Sequence, residues 1–513
     1  MGKSSILMLL GPKFQDFGCD VGKKFLHRQG GGKIHGIFTG SSLGIKSLQD
    51  SLQNESGYFW HLQTEEKKWL TADISIEELS SQLSEMDDKL GAGVAGRLLI
   101  CDRRIGQGFI RGGLCRPDEI ANLVNQAPEI NPQKYLIGLY SFLQEVINLT
   151  QPDVVFCYAV AGAPALGLAE ICRTKKIPFT RLNTSRIKGL NVIDDSATGE
   201  LNCIAKTYKA ALHGTIKLEQ EQVKAKELLA EFRKSPEPPE YAKRNQKLLQ
   251  NDNIWKETGK ALLKLIYFPA RSLIKKQPYS ETKQGLARVW FNTWMIWKKA
   301  FLGKKTFAQK PPIDRPFIYF PLHVDPEAST MVLSPWHTDQ IGVIEALAKS
   351  APAEMVILVK EHAPMLGKRP RGFYKTISAM PRVILVGPEQ NGLSLVAKSS
   401  LTAVITGTAA WEAIRLQKPT IVIGNSPFLA IGEGVIHEPC LANLPHAIHK
   451  ALNMKPASDE ALTLYIAACL AESFEMSSSL LWGEYENHSE QERQKAVDYI
   501  VNGITRMMKE KSQ

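Results

Sequence analysis

The sequence predicts an α/β protein of two Rossmann-like domains facing a cleft, with a helical basic insertion. Three observations support this. Short apolar runs alternate with helical stretches in the first part of the chain, the alternation restarts after a proline-rich stretch at 310–316, and a lysine-rich helical text lies between. The length of 513 residues admits two to three domains at roughly 150 residues each. With 44% hydrophobic and 22% charged residues, the composition excludes a disordered chain and a polytopic membrane protein.

The first domain is assigned to residues 1–204, with apolar strands at Ile6–Leu10, Ile34–Thr39, Leu98–Cys101, Val154–Cys157 and Pro178–Leu182. Helices fit at Tyr135–Leu149 and Ala163–Thr174, the second following Gly162 and carrying small residues suited to packing on a sheet. Ile6–Leu10 is too short for a signal-peptide core and reads as the first strand. From about Cys203 the text turns charged and helical. Residues 205–310 are assigned to an insertion, with a disordered patch expected around Ser235–Pro239. Lys310-Pro311-Pro312-Ile313-Asp314-Arg315-Pro316 cannot continue a helix and marks a boundary.

The second domain is assigned to residues 311–480, with strands at Phe317–Leu322, Met355–Val359, Val383–Val386, Ala403–Thr406 and Thr420–Ile423. Ser334-Pro335 reads as an N-cap and first helical proline, after which Ile341, Ile344, Leu347 and Ala348 share a face. Residues 481–513 are expected to form a charged helix, over Glu484–Lys511, returning to the first domain.

The net charge of +11 is concentrated: Asn253 to Lys310 holds thirteen basic residues against two acidic ones. The rest of the chain is close to neutral, which argues against a nucleic-acid-binding surface. Trp255, Tyr267, Phe268, Tyr279, Trp290, Phe291, Trp294 and Trp297 are interleaved with this charge. Basic amphipathic helices carrying Trp suit an anionic membrane surface; the alternative is a solvated charged face with aromatics packed inward. The most apolar stretch, Ala261–Ile274, is interrupted by Lys264, Pro269 and Arg271 and is not expected to span a bilayer. The eight cysteines are scattered singly, without a CxxC pair or a zinc spacing, so a reducing compartment and no metal or cofactor are expected.

Open α/β sheets bind ligands beyond the carboxyl ends of their strands, which directs attention to the residues after each strand. Three loops of the second domain stand out: His323 with Asp325, Glu327, Ser329 and Thr330; Lys360-Glu361-His362; and Thr406-Gly407-Thr408 leading to Glu412. At the last, a glycine where strand turns into helix lets a ligand approach, and the helix start offers N–H groups to a phosphate. Glu412 is a candidate acceptor for ribose hydroxyls; a capping Thr408 and a solvated Glu412 are the plainer reading. His362 is a candidate for contacting phosphate or protonating a leaving group. Glu327 is a candidate for orienting a sugar or for acid–base chemistry. In the first domain, Gly11-Pro12-Lys13, the loop Asp102 to Gly113 with Arg103, Arg104 and Arg111, and Asn183-Thr184-Ser185-Arg186 follow strand ends. Arg104 and Arg186 are candidates for an anionic acceptor, and Asp16, Asp20 and Asp102 are candidate carboxylates by position. Asp194-Asp195 reads as solvated turn charge.

The stretches Phe320–Thr330, Val359–Pro364 and Thr406–Ala413, followed by Lys418-Pro419 and Gly424, resemble the capsule polysaccharide biosynthesis family. That family includes bacterial Kdo transferases of the GT-B type. The likeness runs over about Phe317–Phe428, roughly a fifth of the chain. Asp325-Pro326-Glu327 stands where the family carries Gln-Pro-Glu, and His362-Ala363-Pro364 where it carries His-Pro; the glutamine is replaced, which leaves the donor sugar and base open.

The resemblance implies a GT-B-like fold and a cytoplasmic enzyme peripheral to the inner membrane. Its activity would be glycosyl transfer of a sugar such as Kdo from a nucleotide donor, CMP-sugar favoured, to a surface polysaccharide or lipid-linked glycan, without a metal. Glu327 and His362 would be catalytic. His323, Ser329, Thr330, Lys360, Glu361, Thr406, Gly407, Thr408 and Glu412 would bind the donor, and the acceptor and a further carboxylate would belong to the first domain. A sugar-nucleotide epimerase of the same architecture and a non-catalytic capsule assembly protein are the alternatives.

Overall fold

Strands buried on both faces read as continuous apolar runs, and such runs build the cores of both sheets. The computed structural model describes residues 4–12, 14–40, 52, 57–237, 254–275, 279–302, 306–308, 310–481 and 485–512. Of the residues singled out above, Lys13, Pro238, Pro239, Asn253 and Glu484 lie outside these, as do the side chains of Arg271, Ile274, Tyr279 and Lys511. The chain divides into two units, one comprising residues 1–105, 123–222 and 464–513, the other 106–122 and 223–463.

The first unit carries β1 (Ser4–Leu10), β2 (Gly32–Phe38), β3 (Phe59–His61), β4 (Val154–Cys157), β5 (Phe179–Thr184) and β6 (Leu190–Asp194). The second carries β7 (Phe317–Pro321), β8 (Val356–Lys360), β9 (Val383–Val386), β10 (Leu401–Val404), β11 (Thr420–Val422) and β12 (Val435–His437); β13 (Phe474–Glu475) returns to the first. The first sheet runs β13-β6-β5-β4-β1-β2-β3, parallel except at β6 and β13; the second runs β12-β11-β10-β7-β8-β9, parallel throughout. Counted from its own first strand, each unit follows the doubly wound Rossmann order 3-2-1-4-5-6. In the second sheet, Ile318, Phe320, Ile357 and Val359 pack on one face and Phe317, Tyr319, Val356 and Leu358 on the other.

Several elements differ from expectation. Leu98–Cys101 is not a strand but the end of a helix, Val94–Cys101, that starts at Gly93 in the left-handed region (φ 80°). A four-residue apolar run fits either structure. Ser334-Pro335 opens a single 3-10 turn, Pro335–His337, and the following helix, Gln340–Ser350, is capped by the Asp339 carboxylate accepting the Ile341 N–H. The 205–310 stretch is shared: helix Asn202–Leu212 belongs to the first unit and the helices from Ile254 to Ala300 to the second. Residues 464–480, placed by sequence with the second domain, fall in the first unit. The C-terminal helix Glu490–Ser512 also lies in the first unit, where Asp498 receives Lys24 at 3.0 Å and Gly503 packs against Ile193 of β6.

Candidate functional site

The order of the second sheet puts its topological switch point between β7 and β10, and a crevice beyond the carboxyl ends of those strands is where such sheets take ligands. His323, just past β7, meets Thr406, just past β10: the Thr406 N–H donates to His323 Nε2 at 3.2 Å. The His323 backbone is held by Gln340, whose Oε1 accepts the His323 N–H at 2.7 Å. Because Nε2 accepts, the neutral ring carries its proton on Nδ1. That atom is buried and has no hydrogen-bond partner among the described residues. Burial, then the neighbouring His362 and Arg369, push the His323 pKa down to about 3, so the ring is neutral near pH 7.

From β8 come Lys360, Glu361 and His362. Glu361 is fully buried and takes Arg369 in a two-pronged pair, Nε to Oε2 at 2.7 Å and Nη2 to Oε1 at 2.8 Å, while its Oε1 also accepts the His362 N–H. Arg369 extends the network by donating to the carbonyls of His323 (2.9 Å) and Gly112 (2.6 Å). Glu361 is therefore a framework residue that orients the loop, not a free donor-binding carboxylate. Lys360 is buried, with Nζ on the Glu361 carbonyl at 3.2 Å, and burial lowers its pKa. His362 is partly exposed, and its ring makes no hydrogen bond to the described residues. Burial, then Lys360 and Arg369, hold it down at about 3, which opposes a resident imidazolium as leaving-group acid at neutral pH.

Glu412 is buried on the helix Ala409–Arg415 rather than solvated. Burial raises its pKa to about 7, against the opposing pull of Arg415 and Lys360. Thr408 begins that helix without a side-chain capping bond. The helix is seven residues long, and the Ala410 N–H of its first turn already serves the Gly407 carbonyl at 3.2 Å, so the helix start is a weaker phosphate cradle than the sequence suggested. Gly407 has no positive φ; a Cβ there would lie 3.4 Å from His323 Nε2, in ordinary contact.

Thr406 Oγ1 donates to the Ser329 carbonyl at 2.7 Å, and buried Thr330 donates to Asp325 Oδ1 at 3.4 Å. Burial, opposed by Arg369, lifts Asp325 to about 6. Glu327 stands exposed at the start of the short helix Ala328–Met331, accepting the Ser329 hydroxyl at 3.1 Å. The structure thus gathers His323, Ser329, Thr330, Lys360, Glu361, His362, Thr406 and Glu412 around one set of strand ends, with Glu327 on the outer side.

The glycine-rich loop expected to serve the first domain belongs, from Gly106 on, to the second unit. The Gly112 N–H donates to Asp325 Oδ2 at 3.1 Å, and a Cβ on Gly113 would come within 1.7 Å of the Asp325 carbonyl oxygen. These glycines permit close packing of backbone on backbone.

In the first unit, Asp102 and Arg104 bind each other. Arg104 Nη2 meets Asp102 Oδ2 at 3.0 Å and Tyr135 OH at 2.8 Å, and Nη1 meets Glu66 Oε2 at 2.8 Å. With Glu66 and Tyr135 fully buried, this is an internal ion cluster that engages four of the five guanidinium N–H groups, contrary to the expectation of an acceptor-side anion site. Arg186 lies in the turn between β5 and β6 with φ 67°. Its N–H donates to Thr184 Oγ1 at 3.3 Å; Asn183 and Thr184 end β5 and Ser185–Arg186 open the hairpin turn, so this stretch is not a helix cap. Asp194 is buried, accepting the N–H groups of Ser196 and Cys203, and is not a solvated turn residue. Asp16 is exposed, and its pKa is raised by burial, Glu486 and Asp20.

Sequence reasoning missed Arg369, Gln340 and Arg181, the last a buried residue of β5 whose Nε and Nη2 have no hydrogen-bond partner among the described residues. An arginine eight residues after Glu361 is the only trace of the first; nothing in the text marks the others.

No protein-family model matches the chain, and no curated protein sequence matches it. Among solved structures it is similar to the beta Kdo 2,7 transferase KpsC of Thermosulfurimonas dismutans, at 12% identity over 70% of this chain and 88% of that chain, with a TM-score of 0.35. It is also similar to UDP-GlcNAc 2-epimerases. That of Neisseria meningitidis, bound to UDP-GlcNAc, is 12% identical over 91% and 98% of the two chains, with a TM-score of 0.22. That of Methanocaldococcus jannaschii is 12% identical over 91% and 99%, with a TM-score of 0.24. Likenesses this distant assign no activity; the two Rossmann-like sheets rest on strand order.

Proposed function

We propose that the chain is a glycosyltransferase of GT-B architecture that moves a sugar from a nucleotide-sugar donor to a surface polysaccharide or lipid-linked glycan. The second unit takes the donor. One observation carries this reading: at the switch point of a doubly wound sheet, a buried neutral histidine presents an Nδ1–H that has no hydrogen-bond partner among the described residues. A buried donor without an acceptor is costly and marks a place for a ligand acceptor. Lys360 and the His362 ring, with Thr408, lie on the phosphate side, and Glu412 on the ribose side. A CMP-sugar, Kdo foremost, is the donor the family resemblance favours.

In the transfer, the bond from anomeric carbon to phosphate oxygen breaks and the nucleotide leaves with the electron pair. The acceptor hydroxyl oxygen bonds to the anomeric carbon and gives its proton to a carboxylate, for which the exposed Glu327 of the second unit is the candidate. Lys360 and the N–H of neutral His362 stabilise the departing phosphate as fixed donors. The enzyme acts on the cytoplasmic side of the inner membrane as a peripheral protein.

Thermal-shift measurement of the full chain with CMP, UDP, GDP and their sugars tests this, since a ligand bound only by the folded form raises the melting temperature. If none does, the reading falls. Labelled donor that isomerises without acceptor identifies an epimerase instead. Unchanged glycan output in a Glu327→Ala, His362→Ala double variant identifies an assembly protein.

A further inference from the structure

The helices Ile254–Lys275 and Tyr279–Ala300 pack as an antiparallel hairpin within the second unit, Trp255 at the start of one against Trp297 near the end of the other and Phe268 against Gly285. In the first helix, Trp255, Leu262, Ile266 and Leu273 follow at intervals of seven, four and seven, which places them on one stripe. They are 59–83% exposed. Lys256, Lys260 and Lys264, spaced by four, form a second stripe, also exposed, turned round the helix from the first by about 100° at Lys256 to about 180° at Lys264, although Lys260 holds Glu257 of its own helix. The second helix adds Trp290, 74% exposed, and Phe301 follows it at 77%.

No helix among the described residues is long and apolar enough to cross a membrane. The exposed stripe is about 27 Å long at roughly 1.5 Å per residue. A second copy of the chain would bring like charge against like, since thirteen of the fifteen charged residues from 253 to 310 are basic. Nucleic acid would answer the lysines and leave leucine and isoleucine in water. A negatively charged bilayer answers both stripes, with apolar side chains at the acyl boundary and lysines among the headgroups.

We infer that this hairpin is an interfacial dock that lies in the surface of an anionic bilayer, with the Trp255–Leu262–Ile266–Leu273 stripe inserted. It is built into the unit beside the strand-end cluster. Lys298 Nζ donates to the Arg369 carbonyl at 2.8 Å and lies 4.8 Å over the Trp294 ring. Gly367, at φ 80°, passes so close that a Cβ would lie 2.5 Å from the Met295 carbonyl oxygen. Docking the hairpin therefore fixes the donor site at the lipid surface. Only that consequence rests on the transferase reading; lipid binding stands on the hairpin alone.

The test is co-flotation of the full chain with vesicles of phosphatidylcholine, alone or with about one third phosphatidylglycerol, following tryptophan emission. Wild type is expected to float with the anionic vesicles only, with a blue-shifted emission. Leu262→Glu, Ile266→Glu should lower partitioning at least tenfold. Exchange of Lys256, Lys260 and Lys264 for Gln should lower it by roughly fivefold per lysine at low salt. Circular dichroism and melting temperature establish that the variants fold, and the nucleotide thermal shift should persist in them. Equal flotation with neutral and anionic vesicles, or full binding by either variant, overturns the inference. So does a wild-type dimer by light scattering that Leu262→Glu dissolves while vesicles stay unbound. A chain that binds anionic vesicles but no nucleotide keeps the dock and loses the transferase.

Discussion

Glu412 offers a measurement on the site that needs no substrate. Burial raises its carboxyl from the ordinary 4.5 to about 7, so the folded chain holds this proton more tightly than the unfolded one. The associated stability is fully present below pH 4.5 and is lost as pH rises through about 7. At its limit the loss is about 3 kcal/mol. Glu412→Gln replaces the carboxyl by an amide that never ionises. Its stability advantage over wild type should widen by about 2 kcal/mol between pH 5.5 and 8.5. Urea unfolding midpoints of both proteins at the two pH values measure this, and the difference between proteins cancels titrations that they share. An advantage that is the same at both pH values would refute the placement of Glu412 in a desolvated site. A bound nucleotide phosphate nearby should raise the same pKa further, widening the gap.

Arg369→Met leaves the Glu361 carboxylate buried without its guanidinium and should cost about 3–5 kcal/mol by urea unfolding. Adding Glu361→Gln should return part of that, and a loss under 1 kcal/mol would contradict the network. Gly113→Ala places a Cβ 1.7 Å from the Asp325 carbonyl oxygen, so the 106–122 segment should undock and be cut at least tenfold faster in limited proteolysis. His362→Gln, which keeps a side-chain N–H, should retain about ten times more turnover than His362→Ala. With His362 held near 3, wild-type kcat/KM should show no limb from this residue between pH 5.5 and 8.

The strands β7, β8 and β9 are legible in the sequence because burial on both faces turns each into an apolar run, whereas β10, expected at Ala403–Thr406, lies at Leu401–Val404 because the buried Thr402 breaks its apolar run. β3 and β12 are three residues each, too short to carry a period, and β6 reads as loop because Asn191 and Asp194 interrupt it. His323, Lys360, His362 and Thr406 could be found because a polar residue directly after a buried strand needs water or a ligand. What holds them could not. Arg369 reaches Gly112 across 257 positions, and no local pattern encodes a partner so far away. Asp102 and Arg104 misled for the opposite reason: charge in a glycine-rich loop looks the same whether it faces a ligand or a buried Glu66 on another helix.

The short excursion of residues 106–122 into the second unit has a bearing on heredity. A gene fragment encoding 223–463 alone would leave Arg369 without the Gly112 carbonyl and Asp325 without the Gly112 amide. That half cannot be shuffled between proteins as a single cassette. Any recombination that exchanges it must carry along a seventeen-residue thread cut from the other half, which ties the histories of the two halves together.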